Sequence, residues 1–82
     1  MVIGTQISVY PLRQERLTPA VDAVRTALET RGLHPEIGPM STLVTGDVKV
    51  IFSALQEAFA HAAETGHVVM TVTLSNACPV EG

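Results

Sequence analysis

Apolar and polar residues alternate along residues 2–10, which read VIGTQISVY. Because successive side chains of a strand point to opposite faces, this alternation predicts a strand with one buried face. The predicted buried face carries Ile3, Thr5, Ile7 and Val9. We expect Pro11 to end the strand, since proline has no N–H to donate to a neighbouring strand.

Two later segments repeat their apolar residues at helical spacing. The first predicts a helix over about 19–31, with Thr18 as its N-cap and Pro19 in its first turn. Its apolar stripe consists of Leu17, Val21, Val24 and Leu28. Gly32 is expected to end this helix, because glycine adopts a positive φ without steric cost. The second helix is expected to follow Asp47, whose carboxylate can cap it. Its apolar stripe consists of Val48, Ile51, Leu55, Ala58, Phe59 and Ala62.

Three short strands complete the pattern. Residues 33–39 and 40–45 predict two strands, and Gly38-Pro39 predicts a turn between them. Pro35 places the first of these strands at an edge of the sheet, since it cannot donate to the ladder. Residues 67–74, HVVMTVTL, alternate again and predict the last strand.

The predicted order is strand, helix, strand, strand, helix, strand. This order is the ferredoxin-like βαββαβ arrangement, an α+β fold with a four-stranded antiparallel sheet and two helices on one face. We expect residues 1–82 to form a single domain, with residues 76–82 as a flexible tail. Because two helices cover only one side of the sheet, the other side (the open face) meets either solvent or a partner.

Composition and charge argue against several classes of partner. The five basic residues are scattered and the net charge is -3, so we expect no nucleic-acid partner. No apolar stretch approaches the ~20 residues of a membrane span, and the first residues lack the pattern of a secretory signal. The single Cys78 allows no internal disulfide, which fits a soluble protein in the reducing cytoplasm.

The side chains that usually carry catalysis are dispersed. His34, His61 and His67 do not show the spacing of a zinc site. No residue near Cys78 pairs with it as a nucleophile and base, and no glycine-rich phosphate loop is present. We therefore expect no metal, no cofactor and no enzymatic activity.

The alternation assigns polar residues to the open face. The first strand places Gln6, Ser8 and Tyr10 there, and the last strand adds Thr71 and Thr73. The third strand alternates poorly, so that its outward residues are either Ser41, Leu43 and Thr45 or Met40, Thr42 and Val44. Hydroxyls, an amide and one aromatic ring suit a small, flat ligand rich in heteroatoms. The same residues also suit a solvated sheet face that binds nothing.

Four short segments follow one another in a specific order: SVYPL at 8–12, LTPAV at 17–21, GPMST at 38–42 and GD at 46–47. In these segments the chain resembles the YkoF-like thiamine-binding proteins, over about residues 5–74. The resemblance implies a ferredoxin-like domain that assembles through its sheets into a homodimer or homotetramer. It also implies binding of thiamine, or of its hydroxymethylpyrimidine part, near the sheet and a subunit interface, with no known reaction.

The resemblance supplies five candidate ligand-binding residues, which are Ser8, Tyr10, Met40, Ser41 and Thr42. The open-face argument adds three more, which are Gln6, Thr45 and Thr73. The chain departs from the family pattern at Arg13, where a small residue is common, and at Ser41, where glycine is frequent. Both departures are expected to change the fit of a ligand.

Two hypotheses from different classes follow. The first is a cytoplasmic, homo-oligomeric protein that binds thiamine or hydroxymethylpyrimidine and catalyses nothing. The alternative is a structural homo-oligomer or protein-interaction module without a small-molecule ligand, in which the open face contacts another copy.

Overall fold

The chain forms a four-stranded sheet with two helices packed against one of its faces. A computed structural model describes residues 1–13 and 16–77. In chain order the elements are β1 (Val2–Pro11), α1 (Thr18–Thr30), β2 (Glu36–Ile37), β3 (Thr42–Asp47), α2 (Val48–Ala63) and β4 (Val68–Ser75). Cys78 and the rest of the predicted tail beyond it lie outside the described residues.

The strands lie in the order β2-β3-β1-β4, and each neighbouring pair is antiparallel. With two helices in βαββαβ order, this confirms the predicted ferredoxin-like fold. The central strand β1 pairs over different lengths with its two neighbours, β3 and β4. β1 pairs with β4 as far as Pro11, but it pairs with β3 only as far as Ile7, which lies opposite Thr42.

The core lies between the inner face of the sheet and the two helices. The four β1 residues predicted to be buried are all buried. The second helix contributes mainly small side chains, since Ala54, Ala58 and Ala62 are each fully buried. These small side chains let the α2 backbone pack closely against its neighbours, above all against α1.

Phe59 was predicted to lie on the buried stripe of α2, and this prediction is wrong. Its side chain is 45 % exposed, while Ala54 takes a place in the buried stripe. Because alanines fill the closely packed side of α2, a phenylalanine ring is accommodated only at the flank of the helix. Phe52, two turns earlier on the same side of α2, is also exposed.

The first helix begins one residue earlier than predicted, and the prediction of a Thr18 cap is wrong. Leu17 occupies the N-cap position without a side-chain cap, and Thr18 is the first helical residue. The reason is that the Leu17 carbonyl already accepts a hydrogen bond from the Val21 amide at 3.2 Å. At the other end, Gly32 has φ of 79°, which confirms the predicted stop.

The second helix begins as predicted. The Asp47 carboxylate accepts a hydrogen bond from the Lys49 amide at 3.0 Å and lies 3.3 Å from the N-terminal ammonium of Met1. The Lys49 amide, followed by the Met1 ammonium, lowers the pKa of Asp47 from its ordinary value. Asp47 therefore joins the start of the chain to the start of α2.

The middle strands differ from their predicted bounds. The strand predicted over 33–39 contracts to Glu36–Ile37, and the strand predicted over 40–45 lies at Thr42–Asp47. The cause is a tight hairpin, because the Gly38 amide donates to the Ser41 carbonyl at 2.8 Å. Pro39 and Met40 form its tip. The prediction that β2 lies at an edge of the sheet is confirmed.

Candidate ligand-binding site

A cavity of about 270 Å³ lies where β1 extends beyond the start of β3. Three elements form its walls: the second half of β1, the beginning of α1 and the β2–β3 hairpin. The lining residues are Ile7–Tyr10, Leu17–Thr18, Val21, Val24 and Ile37–Thr42. The cavity exists because β3 pairs with β1 only from Thr42 onward. Before Thr42, the β2–β3 hairpin lies beside β1 in place of a paired strand.

The sequence of the hairpin explains its tight course. An added Cβ at Gly38 would lie 3.2 Å from the Ser41 carbonyl oxygen, which is closer than most side chains tolerate. Pro39 follows with its restricted φ, which favours a turn. Gly38-Pro39 therefore places Met40 and Ser41 against β1 instead of in β3.

Two polar side chains of β1 hold the hairpin in place. The Ser8 hydroxyl donates to the Met40 carbonyl at 3.3 Å. The Gln6 side-chain amide donates to the Ser41 hydroxyl, also at 3.3 Å. Gln6 does not line the cavity, so its part in the site is to position Ser41.

The cavity combines apolar walls with hydroxyl groups. Aliphatic side chains line the side toward α1, and hydroxyls come from Ser8, Tyr10, Thr18, Ser41 and Thr42. None of the lining residues carries a carboxylate, an ammonium or a guanidinium group. Apolar walls with a few placed polar groups are typical of small-molecule sites. Hydroxyls both donate and accept, so the cavity matches an uncharged ring with polar edges.

The pairing of β1 with β3 decides which side of the third strand faces outward. Leu43 lies opposite Gln6 and Thr45 opposite Gly4, so both belong to the open face. Thr42 and Val44 are buried on the helix side of the sheet, at 5 % and 4 % exposure. The outward set is therefore the one that contains Leu43 and Thr45.

The structure brings together most of the predicted site residues. Ser8, Tyr10, Met40, Ser41 and Thr42 all line the cavity, and these are the five that the family resemblance supplied. The three residues added from the open face, Gln6, Thr45 and Thr73, do not line it. Thr45 and Thr73 lie on strands that flank β1, at the positions opposite Gly4 and Gln6.

Sequence reasoning missed the wall formed by α1 and the end of β2. Leu17 and Val21 were interpreted as a core stripe, and Ile37 as a strand residue. In the structure Leu17 and Ile37 are 46 % and 44 % exposed beside the cavity. The first predicted strand is longer than the third, and this difference was the signal that could have located the cavity beside the end of β1.

Two further features are absent from the described residues. There, no three histidine, cysteine, aspartate or glutamate side chains lie close enough together to hold a metal ion. Neither of the helices in that part of the chain is both long and apolar enough to cross a membrane.

A comparison with known families matches residues 2–81 to the YKOF-related family. The protein belongs to this family. The match spans all six secondary-structure elements and every residue that lines the cavity. It confirms the resemblance carried by the four sequence segments. No curated protein is similar enough to count as a match.

Several solved structures share this fold. A protein from Streptococcus pneumoniae superimposes with a TM-score of 0.84 at 22% identity, covering 96% of this chain and 90% of its own. A hypothetical protein from Methanocaldococcus jannascii gives 0.84 at 21% identity, with 98% and 84% covered. A candidate thiamine biosynthesis/salvage protein from Thermotoga maritima gives 0.80 at 21% identity, with 92% and 83% covered. At these identities the likeness establishes the fold alone.

Proposed function

We propose that this protein binds thiamine, or its hydroxymethylpyrimidine part, in the cavity between β1, α1 and the β2–β3 hairpin, without catalysing a reaction. The observation that carries the proposal is the convergence of five residues from two separate family segments on one cavity. Membership of the YKOF-related family and the fold shared with the Thermotoga maritima protein support a thiamine-related ligand.

The chemistry of the cavity supports the pyrimidine as the part held inside. An aminopyrimidine is flat and uncharged, and it offers ring acceptors and an amine donor to the hydroxyls of Ser8, Ser41 and Thr42. A volume of about 270 Å³ lies just below the usual range for drug-sized ligands, which suits one ring. The cationic thiazolium of thiamine would then lie toward Tyr10, whose exposed ring can offer a cation–π contact.

Calorimetric titration with thiamine and with hydroxymethylpyrimidine tests this proposal. We expect at least one of the two to bind the purified protein and to raise its melting temperature. A wild-type protein that shows neither heat nor a thermal shift at millimolar ligand would contradict it.

A pair of variants on α1 tests whether the ligand binds in this cavity. Thr18 lines the cavity and is exposed, so Thr18→Phe should fill the cavity and abolish binding while the core stays intact. Thr26 is exposed on the same helix but does not line the cavity, so Thr26→Phe should bind like the wild type. Equal affinities in the two variants would place the ligand elsewhere.

The alternative function, assembly of copies through the open face, is favoured by one separate observation. Leu43, Tyr10 and Val69 expose between 47% and 48% of their surface on this face. The residues paired across its centre, from Gly4 to Tyr10, carry no charge. Leu43→Glu would place a carboxylate there, and a fall in the mass measured by light scattering would support stacking of this face against a second copy.

A further inference from the structure

Two serine hydroxyls of the cavity already have one hydrogen-bond partner each. Ser8 lies on β1 and Ser41 lies on the β2–β3 hairpin, and both residues line the cavity. A serine hydroxyl has one proton to donate and two lone pairs that accept. The partner that each hydroxyl has in the protein therefore decides whether its oxygen donates to a ligand or accepts from it.

The Ser8 hydroxyl can only accept a hydrogen bond from a ligand. Its single proton is donated to the Met40 carbonyl oxygen at 3.3 Å, and a carbonyl has no proton to give in return. The lone pairs of the Ser8 oxygen are what remains for the cavity. A ligand group beside Ser8 is thus matched when it carries an N–H or an O–H.

The Ser41 hydroxyl has the opposite role. It accepts a hydrogen bond from the side-chain amide of Gln6 at 3.3 Å. Within the described residues its own proton has no protein acceptor, so this proton is free to donate to a ligand. Ser41 stands where glycine is frequent in the family pattern, so this donor is a feature of this chain. Gln6 lies outside the cavity and affects a ligand only by fixing the direction of the Ser41 proton.

The donor and the acceptor follow one another along β1. Gln6, Ser8 and Tyr10 lie on the same face of this strand, at every second residue. The Ser41 hydroxyl is held at the level of Gln6 by their hydrogen bond, while the Ser8 hydroxyl lies nearer to Tyr10. The order along the strand is therefore donor, acceptor and aromatic ring. Before the donor there is no gap, because β1 is paired with β3 as far as Ile7.

Given the proposed function, on which this inference rests, we propose that the cavity selects a 4-aminopyrimidine and rejects its 4-oxo analogue, with Gln6 as the positioning residue. In a 4-aminopyrimidine, the ring nitrogen beside the amine accepts a hydrogen bond, and the amine donates one. The ring nitrogen meets the Ser41 proton, and the amine meets the Ser8 lone pairs. The substituent on the next ring carbon then points toward Tyr10.

A 4-oxo ring carries the reverse pattern, with an N–H in the ring and a carbonyl oxygen beside it. In the same orientation its oxygen faces the lone pairs of Ser8, and its N–H faces the proton of Ser41. Turning the ring over would restore both hydrogen bonds, but it would direct the substituent toward the paired part of β1 and β3. The 4-oxo ring therefore either leaves two polar groups unmatched or collides with the sheet.

Calorimetric titration of the complete chain tests this selectivity. Each 4-amino ligand is compared with its 4-oxo analogue: thiamine with oxythiamine, and hydroxymethylpyrimidine with the corresponding pyrimidone. In whichever pair binds, we expect the 4-amino member to bind at least about tenfold more tightly, because a site built from hydrogen-bonding groups rejects a ligand that leaves them unpaired. Equal affinities would overturn the selectivity but not the proposed function. Binding of no compound would overturn both.

The variant Gln6→Glu tests the positioning role. A carboxylate only accepts, so it would take the Ser41 proton and leave the Ser41 oxygen as an acceptor in the cavity. We expect the ratio of the thiamine and oxythiamine affinities to fall about tenfold, since one ligand loses a partner and the other gains one. Both ligands carry the same thiazolium, so the added negative charge alone does not change this ratio.

Thr45→Glu is the matched control for charge. Thr45 is exposed on the open face, opposite Gly4, and it does not line the cavity. This variant should keep the affinity ratio of the wild type. A Gln6→Glu variant that also keeps the wild-type ratio would overturn the role of Gln6, and a Thr45→Glu variant that lowers the ratio equally would assign the effect to charge.

Discussion

The two edges of the sheet differ in length, in sequence and in what lies beside them. β2 contributes two residues, Glu36–Ile37, of which the first is charged, and Pro35 directly precedes it. β4 contributes eight uncharged residues without a proline. Beside β2 lies the cavity, whose lining includes Ile37 and the hairpin. β4 is in contact with α2, on which Phe52 and Phe59 are exposed.

This difference affects what each edge can bind. Because β3 pairs with β1 only from Thr42 onward, the sheet leaves a gap before Thr42 that a small molecule can enter. Because β4 is long and unprotected, the other edge has backbone groups that a strand can pair with. The proposed ligand site lies at the first edge, and four predictions test it against the rest of the molecule.

The largest effect is expected from the core that both edges share. Leu28 on α1 is fully buried, so Leu28→Ala should lower the free energy of unfolding by about 3 kcal/mol. Ligand binding and assembly should then weaken together. Urea denaturation measures the change. Leu12→Ala is the control, since Leu12 is 47% exposed and its loss should cost less than about 0.5 kcal/mol.

The next effect concerns assembly through the open face. Thr71 is exposed and lies opposite Ser8 on this face, so Thr71→Lys should place a charge in the proposed contact between copies. We expect about 2 kcal/mol of weakening, or roughly thirtyfold in the dissociation constant of the assembly. Sedimentation equilibrium measures it. Glu36→Lys places a lysine on the β2 edge and should leave the assembly unchanged; the reverse result would argue against the open face as the contact.

A smaller effect separates the two faces of β3. Thr42 lines the cavity and Thr45 lies on the open face of the same strand. Thr42→Val removes a hydroxyl from the proposed site and should weaken ligand binding about tenfold, or about 1.4 kcal/mol. Thr45→Val should not change the affinity measured by calorimetry. If Thr45→Val has the larger effect, the ligand lies on the open face.

The smallest effect concerns the cap of α2. The pKa of Asp47 is lowered in the folded state by the Lys49 amide and then by the Met1 ammonium. Its contribution to stability is therefore present above the pKa of an unfolded aspartate, about 4, and is lost as the pH falls through the lower folded pKa. Asp47→Ser keeps a capping oxygen without a titrating group, and its melting temperature should depend less on pH below 4. Identical pH profiles would contradict this role.

The fold could be predicted from the sequence wherever local pattern and packing agree. The alternation of β1 identified its buried face, and the Asp47 cap and the Gly32 stop mark helix ends that the structure confirms. Phe59 was misplaced because helical spacing does not show how closely a helix packs against its neighbours. Where α2 packs closely, chiefly against α1, only alanines fit, and that packing is a tertiary feature.

The site could be predicted only in part. Its family segments located Ser8, Tyr10 and the hairpin, which all line the cavity. The α1 wall was not found, because a helical stripe does not distinguish a residue under the sheet from one beside a gap. The faces of the third strand also stayed undecided, since MSTLVT alternates poorly and only pairing with β1 orients it.

By itself, the sequence determined the order of the elements, the inner face of β1, the family and the residues of the hairpin, because these depend on local periodicity and turn chemistry. Only the tertiary structure decided where β3 stops beside β1, and hence where the cavity lies. It also decided that the phenylalanines of α2 are exposed and that its alanines are buried. Both features depend on the register and separation of elements distant in sequence, which no local pattern encodes.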